Sequence, residues 1–217
     1  MKKRLVCVIC VFMLALSCGC YSEKGDTHSY IIASIGFDRI GGYIKATAEA
    51  VAVNSEDDAG KKRIVLTGFG ATAEKAVKEA QKKATAPFNL SHCGMILLGK
   101  TLKDGDFSDI CEYCYNTDEI TFSVYMAVTD NSSQILSKEP MASVAVGYDL
   151  MSKIEKTVEK EDIKLRNSLY EVVADKNRKN SKILLPFFSL SGEYSVISGL
   201  AEYKDGKYSG LSEVNTN

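Results

Sequence analysis

The most constraining feature of the sequence is HCGMILLG, an apolar run at residues 92–99. The run contains no Asp, Glu, Lys or Arg, and it does not alternate between apolar and polar positions. This pattern predicts a short strand that is buried on both faces, and such a strand belongs in the middle of a sheet. The rest of the chain must therefore supply neighbouring strands and covering helices.

Three strands are predicted before this run. Residues 29–38 form an apolar segment typical of a strand, and Gly41 and Gly42 can turn the chain into a second strand at 43–53, so the two strands make a hairpin. A third strand is predicted at 63–70. In the second strand the apolar residues fall on one face with a period of two, namely Ile44, Ala46, Ala48, Ala50 and Ala52.

One helix is predicted before the buried strand in the sequence and another after it. Thr72 can cap a helix at 72–85, and lysines lie toward the C-terminal end of this helix, where they complement the helix dipole. A second helix at 106–115 and a strand at 121–128 complete a first unit that ends near residue 140. The apolar face of the first helix is narrow and consists of Ala73, Ala76, Val77, Ala80 and Ala84.

A second unit is predicted from residue 141 onward, and it opens with two helices. The charged residues between their apolar positions alternate in sign, as on a solvated surface. One apolar stripe consists of Val144, Tyr148, Met151, Ile154 and Val158. The other consists of Leu165, Leu169, Val172 and Val173.

Strands return near the end of the sequence, with one strand predicted at 182–190. The Asp-Gly pair at 205–206 is the signature of a type I′ hairpin turn, and Tyr203 and Tyr208 flank it. A sheet that stopped after this hairpin would expose a strand edge. We therefore expect either a truncated gene product or a partner that covers the edge, and residues 207–211 are the candidate partner edge.

The predicted fold class is α+β, with mixed β-sheets, packed helices and two consecutive domains at residues 30–140 and 141–217. The 217-residue chain is 45% hydrophobic, which is enough for a substantial core. The formal net charge is -1, so no overall basic field attracts the chain to nucleic acid. We expect no nucleic-acid partner.

Residues 1–19 are predicted to be a secretory signal peptide. Lys2, Lys3 and Arg4 precede an uncharged apolar segment at residues 5–16. A membrane-spanning helix needs about 20 apolar residues, and this segment is shorter. The segment is therefore expected to direct export rather than to span a membrane.

Two cysteines follow the apolar segment in the sequence SCGCY. They resemble the modified position of a bacterial lipobox, in which the cysteine takes up diacylglycerol and becomes the new N-terminus. Cys20, preceded by glycine, is the predicted lipidation site, and Cys18, preceded by leucine and serine, is the rival. The alternative is ordinary cleavage followed by a free or disulfide-bonded cysteine. Residues 20–29 are expected to be the lipidated N-terminus and a tether.

Four stretches of the sequence together resemble one known family. The first is Cys20 with the aromatic and charged residues after it, followed by a strand that reaches IGFD. The second is GFGATAEKAVKEAQ, the third and most specific runs from SHCGMILLGK to NSSQIL at 91–136, and the fourth is ISGLAEYKDGKYSGLS. They are similar to the C-subunit lipoproteins of spore germinant receptors, the Ger(x)C family, over the chain from the signal peptide to Leu211.

The resemblance implies a non-catalytic, lipid-anchored subunit of a nutrient receptor that acts in spore germination. It implies attachment through the N-terminal lipid to the outer, extracytoplasmic face of the cell membrane, which in a spore is the inner membrane. It also implies assembly with the membrane-embedded A- and B-type receptor subunits, and it implies no cofactor.

The sequence departs from the family in two respects. Tyr21 follows the predicted lipid cysteine where family members carry tryptophan, and the sequence contains no tryptophan. Family members also continue into a further C-terminal domain, which we expect this chain to lack. On that expectation the chain is a partial or divergent relative.

The candidates for chemistry are His92, Cys93, Cys111 and Cys114. Cys111 and Cys114 have the spacing of a redox motif. Phe107 and Ile110, however, extend them into a helical stripe, whereas a catalytic pair needs a helix N-terminus, so we predict core packing. A zinc site made of the four candidates is the alternative, although the spacing matches no common zinc signature, and we expect no metal. His92 is predicted to be a hydrogen-bonded structural residue at the start of the buried strand.

An enzyme is not expected, because the sequence contains neither the Gly-x-Ser-x-Gly nor the His-Glu-x-x-His motif. No phosphate-binding site is expected either. The alternative function is that of an extracytoplasmic lipoprotein that binds a nutrient or a cell-wall component and is unrelated to spores. The sequence does not identify partner-binding residues.

Overall fold

The computed structural model describes residues 29–52, 62–103, 105–161, 165–178 and 180–212. The described strands, in chain order, are β1 (Tyr30–Ile40), β2 (Tyr43–Ala52), β3 (Lys62–Gly70), β4 (Phe88–Asn89), β5 (Met95–Gly99), β6 (Tyr125–Thr129), β7 (Lys182–Ser191), β8 (Tyr194–Lys204) and β9 (Lys207–Ser212). The described helices are α1 (Ala73–Gln81), α2 (Asp106–Tyr115), α3 (Ser132–Leu136), α4 (Val146–Glu161) and α5 (Leu169–Lys176).

All of these strands belong to one mixed sheet, which has a parallel centre and an antiparallel hairpin at each side. β1 pairs in parallel with β5, β5 with β6, and β6 with β7. The antiparallel strands β2 and β3 extend the sheet beyond β1, and β8 and β9 extend it beyond β7. The strand order is β3-β2-β1-β5-β6-β7-β8-β9, with the short β4 beside the start of β1. The predicted mixed sheet with packed helices is confirmed.

Helices cover both faces of the sheet. On the first face, α1, α2 and α5 pack over the larger apolar cluster, which includes Ile35, Phe37, Ile96, Leu98, Phe107 and Leu185. On the second face, α3 and α4 pack over a smaller cluster, which includes Met95, Leu97, Leu136, Leu150 and Phe188. Every residue of β5 is buried, because it lies between β1 and β6 with helices on either side. The predicted central and fully buried strand is confirmed, but it spans Met95–Gly99 and not the whole run 92–99, because Ser91 and His92 form a turn.

Both predicted hairpin turns are confirmed. Gly41 has a φ of 59°, a conformation that glycine adopts without strain, and it joins β1 to β2. Asp205 and Gly206 both have positive φ, at 49° and 77°, as a type I′ turn requires. Tyr203 and Tyr208 pair across this turn with their ring centroids 5.8 Å apart.

Two further elements are shorter than predicted. The helix expected at 72–85 ends at Gln81, and the chain continues in single turns in which Lys83 and Ala84 donate to carbonyls three residues back. The strand expected at 121–128 begins only at Tyr125, because the residues just before it form turns. In both cases local turn bonds replace the regular element at one end.

The predicted stripes of the last two helices need correction. α4 buries Val146, Leu150 and Ile154, whereas Val144 precedes the helix and is 40% exposed. Leu165 likewise precedes α5, whose first residue, after the Ser168 cap, is Leu169. The helical spacing was recognised correctly, but the start of each helix was not, so each stripe began too early.

The predicted domain boundary at residue 140 falls between β6 and β7, which pair in parallel in the same sheet. The strands of the two predicted domains, 30–140 and 141–217, are thus joined in one structure, and the division into two domains stays a prediction.

The predictions for the N-terminus lie outside the described residues. They comprise the signal peptide, both candidate lipidation cysteines, Cys18 and Cys20, and the tether up to residue 28. Within the described ranges, no helix is long and apolar enough to cross a membrane.

The contact between α1 and β3 generates a test of the packing. A Cβ atom on Gly68 would meet the backbone of Ala76 and Ala80 in α1, so Gly68→Ala must push the helix from the strand. We expect the free energy of unfolding, measured in urea, to fall by about 1–3 kcal/mol. Gly42→Ala is the matched control, because no atom lies within 4 Å of its added Cβ. Equal stabilities for the two variants would contradict the described packing.

Candidate functional site

A buried carboxylate lies under the start of α4. Glu49 in β2 is fully buried, and its two oxygens accept hydrogen bonds from Ser34 Oγ at 2.7 Å and Arg63 Nε at 2.6 Å. The backbone N–H groups of Val146 and Gly147 donate to the same carboxylate at 2.6 and 2.8 Å. Since the first N–H groups of a helix lack partners within it, Glu49 acts as a cap supplied by the sheet.

The partner of this carboxylate extends the network to α3. Arg63 in β3 forms an ion pair with Glu49 and also donates from its Nη2 to the carbonyl of Leu136, the last residue of α3. One ion pair thus connects two strands of the sheet with the end of one helix and the start of the next. A buried ion pair of this kind is well satisfied only if every donor keeps its place.

A second buried carboxylate caps α3. Asp38 at the end of β1 is 1% exposed and accepts from the backbone N–H of Ser132 at 2.9 Å, from Ser132 Oγ at 2.7 Å and from the N–H of Ser133 at 3.0 Å. Gly36 and Gly99 make this approach possible, because a Cβ on Gly36 would overlap Ser132 and a Cβ on Gly99 would overlap Asp38. The IGFD motif therefore has a packing role.

Sequence reasoning missed the roles of both carboxylates. A signal was present, because Glu49 lies between two alanines and Asp38 directly follows Phe37 in predicted strands, and acidic residues at such positions are buried only when they are paired. Their helix partners lie more than 90 residues further along the chain, so the spacing in the sequence could not identify them.

A third ion pair joins the start of α2 to the end of β1. Arg39 donates from Nε and Nη2 to the carboxylate of Asp106, the first residue of α2, with the Nε contact at 2.6 Å. Burial would raise the pKa of Asp106, but the hydrogen bonds from Arg39 and from the N–H of Lys103 outweigh it and hold this pKa below its ordinary value. All three networks position helices on the sheet.

The three described cysteines are buried and free. Cys111 and Cys114 lie on the inner face of α2, and Cys93 lies just before β5. Burial raises the pKa of Cys93 and Cys111 to about 12, and burial together with the neighbouring thiols raises that of Cys114. A thiol that stays protonated is a poor nucleophile, so the predicted core packing of this pair is confirmed and a redox role has no support.

His92 does not occupy the predicted position. It is exposed in the turn before β5, and it is its backbone carbonyl that accepts a hydrogen bond, from Tyr148 Oη at 3.1 Å. The prediction of a hydrogen-bonded side chain at the start of the buried strand is therefore wrong. In the part of the chain that the structure describes, no three His, Cys, Asp or Glu side chains are placed to hold a metal ion, so the zinc alternative finds no ligand set there.

The segment GMILLGKT at 94–101 has the spacing of a phosphate-binding loop, Gly-x-x-x-x-Gly-Lys-Thr, which sequence reasoning overlooked. A phosphate-binding loop must leave its N–H groups free ahead of a helix. Here the intervening residues form the buried strand β5, Lys100 pairs with Asp130 at 3.1 Å, and Thr101 Oγ1 accepts from the N–H of Arg39. The motif spacing therefore occurs here in a segment that does not form a phosphate-binding loop.

Two open clefts, each of about 360 Å³, are lined partly by acidic side chains. In the cleft between α1 and α2, Asp109 accepts from the N–H of Ala73 at 2.9 Å, so its carboxylate serves the start of α1. In the cleft beside α4, burial and the nearby Glu155 raise the pKa of Tyr125, while Glu171 closes a capping box with Ser168. Several of these acidic groups thus already have structural partners.

The surface offers two features for interaction. β9 is the last strand in the described sheet order, and its Tyr208 and Leu211 are 39% and 45% exposed. The predicted partner edge at 207–211 lies on this strand, and its role stays a prediction. The second feature is an aromatic patch formed by Tyr115, Phe122 and Tyr170, all of which are exposed.

A comparison with protein families finds a match over most of the chain. A family model described as the N-terminal domain of spore germination proteins matches residues 27–190, from just before β1 to nearly the end of β7. A solved structure described as the crystal structure of the GerBC protein is similar at 14% identity and a TM-score of 0.38, over 83% of this chain and 52% of that one. This chain spans about half the length of that structure's chain. None of the curated proteins matches.

The buried carboxylate generates a stability test. Glu49→Ala leaves Arg63 and two helix N–H groups without their acceptor, and we expect the free energy of unfolding in urea to fall by about 3–5 kcal/mol. Glu74→Ala is the matched control, because Glu74 forms only an exposed pair with Lys78, and the expected loss of stability there is much smaller. A Glu49→Ala protein as stable as the control would rule out the capping role.

The buried thiols generate a reactivity test. Cys93, Cys111 and Cys114 should remain unmodified by iodoacetamide in the folded protein and react fully in denaturant, because alkylation needs an accessible thiolate. Peptide mass spectrometry reports each site separately. Rapid alkylation of Cys111 in the folded protein would restore the redox interpretation.

Proposed function

The chain belongs to the Ger(x)C family of spore germination proteins, whose N-terminal domain it carries, and from this we propose that it is a lipid-anchored, non-catalytic subunit of a germinant receptor. In this proposal Cys20 carries a diacylglyceryl group on the outer face of the membrane. The folded residues contribute binding surfaces to a complex with the membrane-embedded A- and B-type subunits. The complex senses a small nutrient and triggers germination.

The family match over residues 27–190 carries this proposal. The internal chemistry of the fold supports it, because the described thiols are buried and the two fully buried carboxylates, Asp38 and Glu49, are used to hold helices. A folded domain whose thiols and buried carboxylates serve its own packing suits a role in assembly.

The proposed anchor fits a protein that stays at the membrane. Each buried methylene of a lipid chain contributes about 0.8 kcal/mol, and one acyl chain alone gives only reversible binding, so two chains on one cysteine suffice for stable attachment. The described structure begins at residue 29, nine residues beyond Cys20. A chain anchored at Cys20 would therefore hold β1 close to the membrane.

Metabolic labelling with an alkyne fatty acid in a spore-forming host tests the anchor. We expect the wild-type chain and Cys18→Ala to incorporate the label and Cys20→Ala to lose it, because only Cys20 supplies the acylated thiol. The Cys20→Ala chain should also be released from the membrane fraction. Labelling that survives Cys20→Ala but disappears in Cys18→Ala would move the site to Cys18, and a wild-type chain without label would refute the anchor.

A further inference from the structure

We propose that the aromatic patch of Tyr115, Phe122 and Tyr170 is a docking surface for a basic, arginine-bearing segment of a partner protein. The inference rests on the proposed function, because the partner is taken to be a component of the same receptor complex.

The aromatic residues of the patch are exposed even though two of their rings are stacked. Tyr115 and Phe122 are stacked with their centroids 4.9 Å apart and an interplanar angle of 21°, although they are 40% and 50% exposed. Tyr170 is 60% exposed, and its N–H donates to the carbonyl of Phe122 at 3.0 Å, which places the backbone of Tyr170 beside that of Phe122. Stacking thus fixes two aromatic rings at the surface, and a backbone contact fixes a third exposed aromatic residue next to Phe122.

The charged residues close to Tyr115 and Phe122 in the chain are all acidic. Glu112 lies one helical turn before Tyr115, and Asp118 lies between Tyr115 and Phe122 in the chain. Both are exposed, and neither forms an ion pair within the described residues. The last turn of α2 carries no basic residue, so the negative end of its dipole also faces this region. Arg166 near Tyr170 does not offset this charge, because Asp175 engages it at 2.8 Å.

Exposed aromatic faces beside unpaired carboxylates match the chemistry of a guanidinium group. Arginine stacks on Tyr and Phe rings through cation–π contact and at the same time donates to carboxylates. Anionic lipid headgroups would instead meet Glu112 and Asp118 with like charge, which disfavours a lipid surface as the occupant. Charge complementarity therefore selects a basic protein segment.

The patch lies at the end of the molecule where the chain enters the fold. Tyr30 pairs with Phe88 of β4, and two residues further on, the N–H of Leu90 donates to the carboxylate of Glu119 at 3.0 Å. Glu119 is three residues before Phe122. Nine extended residues from Cys20 reach at most about 30 Å, so an anchored chain would keep this patch near the membrane and within reach of membrane-embedded partners.

Peptide binding to the full chain, purified in a non-ionic detergent, tests the chemistry of the patch. The probe is a fluorescent peptide of alternating arginine and serine, followed by fluorescence anisotropy. We expect the double variant Tyr115→Ala, Phe122→Ala to raise the Kd at least about tenfold. Asp118→Asn should reduce the dependence of binding on salt. An arginine-to-glutamate version of the peptide should not bind.

Tyr43→Ala, Phe69→Ala is the matched control, because these aromatic residues are 59% and 47% exposed but lie in β2 and β3. This variant should bind the peptide as the wild type does, and circular dichroism should show both double variants folded. Equal Kd values for the patch variant and the wild type would overturn the proposal. A second measurement uses the lipid-free Cys20→Ala chain and its sedimentation with phosphatidylglycerol vesicles. If Tyr115 and Phe122 are needed for this sedimentation but not for peptide binding, the patch binds lipid and the proposal is overturned.

Co-purification with the A- and B-type subunits separates this proposal from the proposed function. The patch variant should recover less of these subunits than the wild type and the control do. Equal recovery by all three proteins would refute docking through the patch while leaving receptor membership intact. If the wild type itself recovers neither subunit, the proposed function fails, and the peptide measurement still decides the chemistry of the patch.

Discussion

The arrangement of the second layer of helices depends on one carboxylate that has no access to water. Glu49 accepts four hydrogen bonds, from β1, from β3 and from the first turn of α4, and its partner Arg63 holds the end of α3. The apolar residues under α3 and α4 form the smaller of the two main clusters. Hydrophobic burial alone is not directional, so the ion pair and its hydrogen bonds supply the position and orientation of these helices.

Charged side chains also contact the starts of α1, α2 and α3. Asp38 caps α3, Arg39 binds the first residue of α2, and Asp109 receives the first N–H of α1. Asp38 and Asp109 accept helix N–H groups that would otherwise lack a partner, whereas Arg39 fixes the start of α2 through the side chain of Asp106. In the part of the chain that the structure describes, these charged side chains hold helices on the sheet.

Local features of the sequence were predicted well, and distant pairings were not. Three local features can be recognised in a single sequence, because each depends only on neighbouring residues. They are the buried run HCGMILLG, the Thr72 cap and the Asp-Gly turn. The parallel pairing of β6 with β7, across the predicted boundary at residue 140, joins segments separated by three helices, and no local pattern encodes it.

The candidate site follows the same rule. The burial of Cys111 and Cys114 was predictable from their helical spacing, whereas the turn that exposes His92 was not. The backbone N–H groups that Glu49 and Asp38 cap belong to helices that begin far along the chain, so only the structure identifies them. The segment GMILLGKT shows that a local motif can also mislead. It has the spacing of a phosphate-binding loop, but its residues form the buried strand β5.

The central claim is that this chain acts as an acylated, membrane-held component of a larger receptor. Mass spectrometry of the protein isolated from spore inner membranes tests it most directly. The account predicts a mature N-terminal peptide that begins at Cys20 and carries the added mass of diacylglycerol, recovered together with peptides of the A- and B-type subunits. A polypeptide without fatty acid, found in the soluble fraction and apart from those subunits, would contradict it.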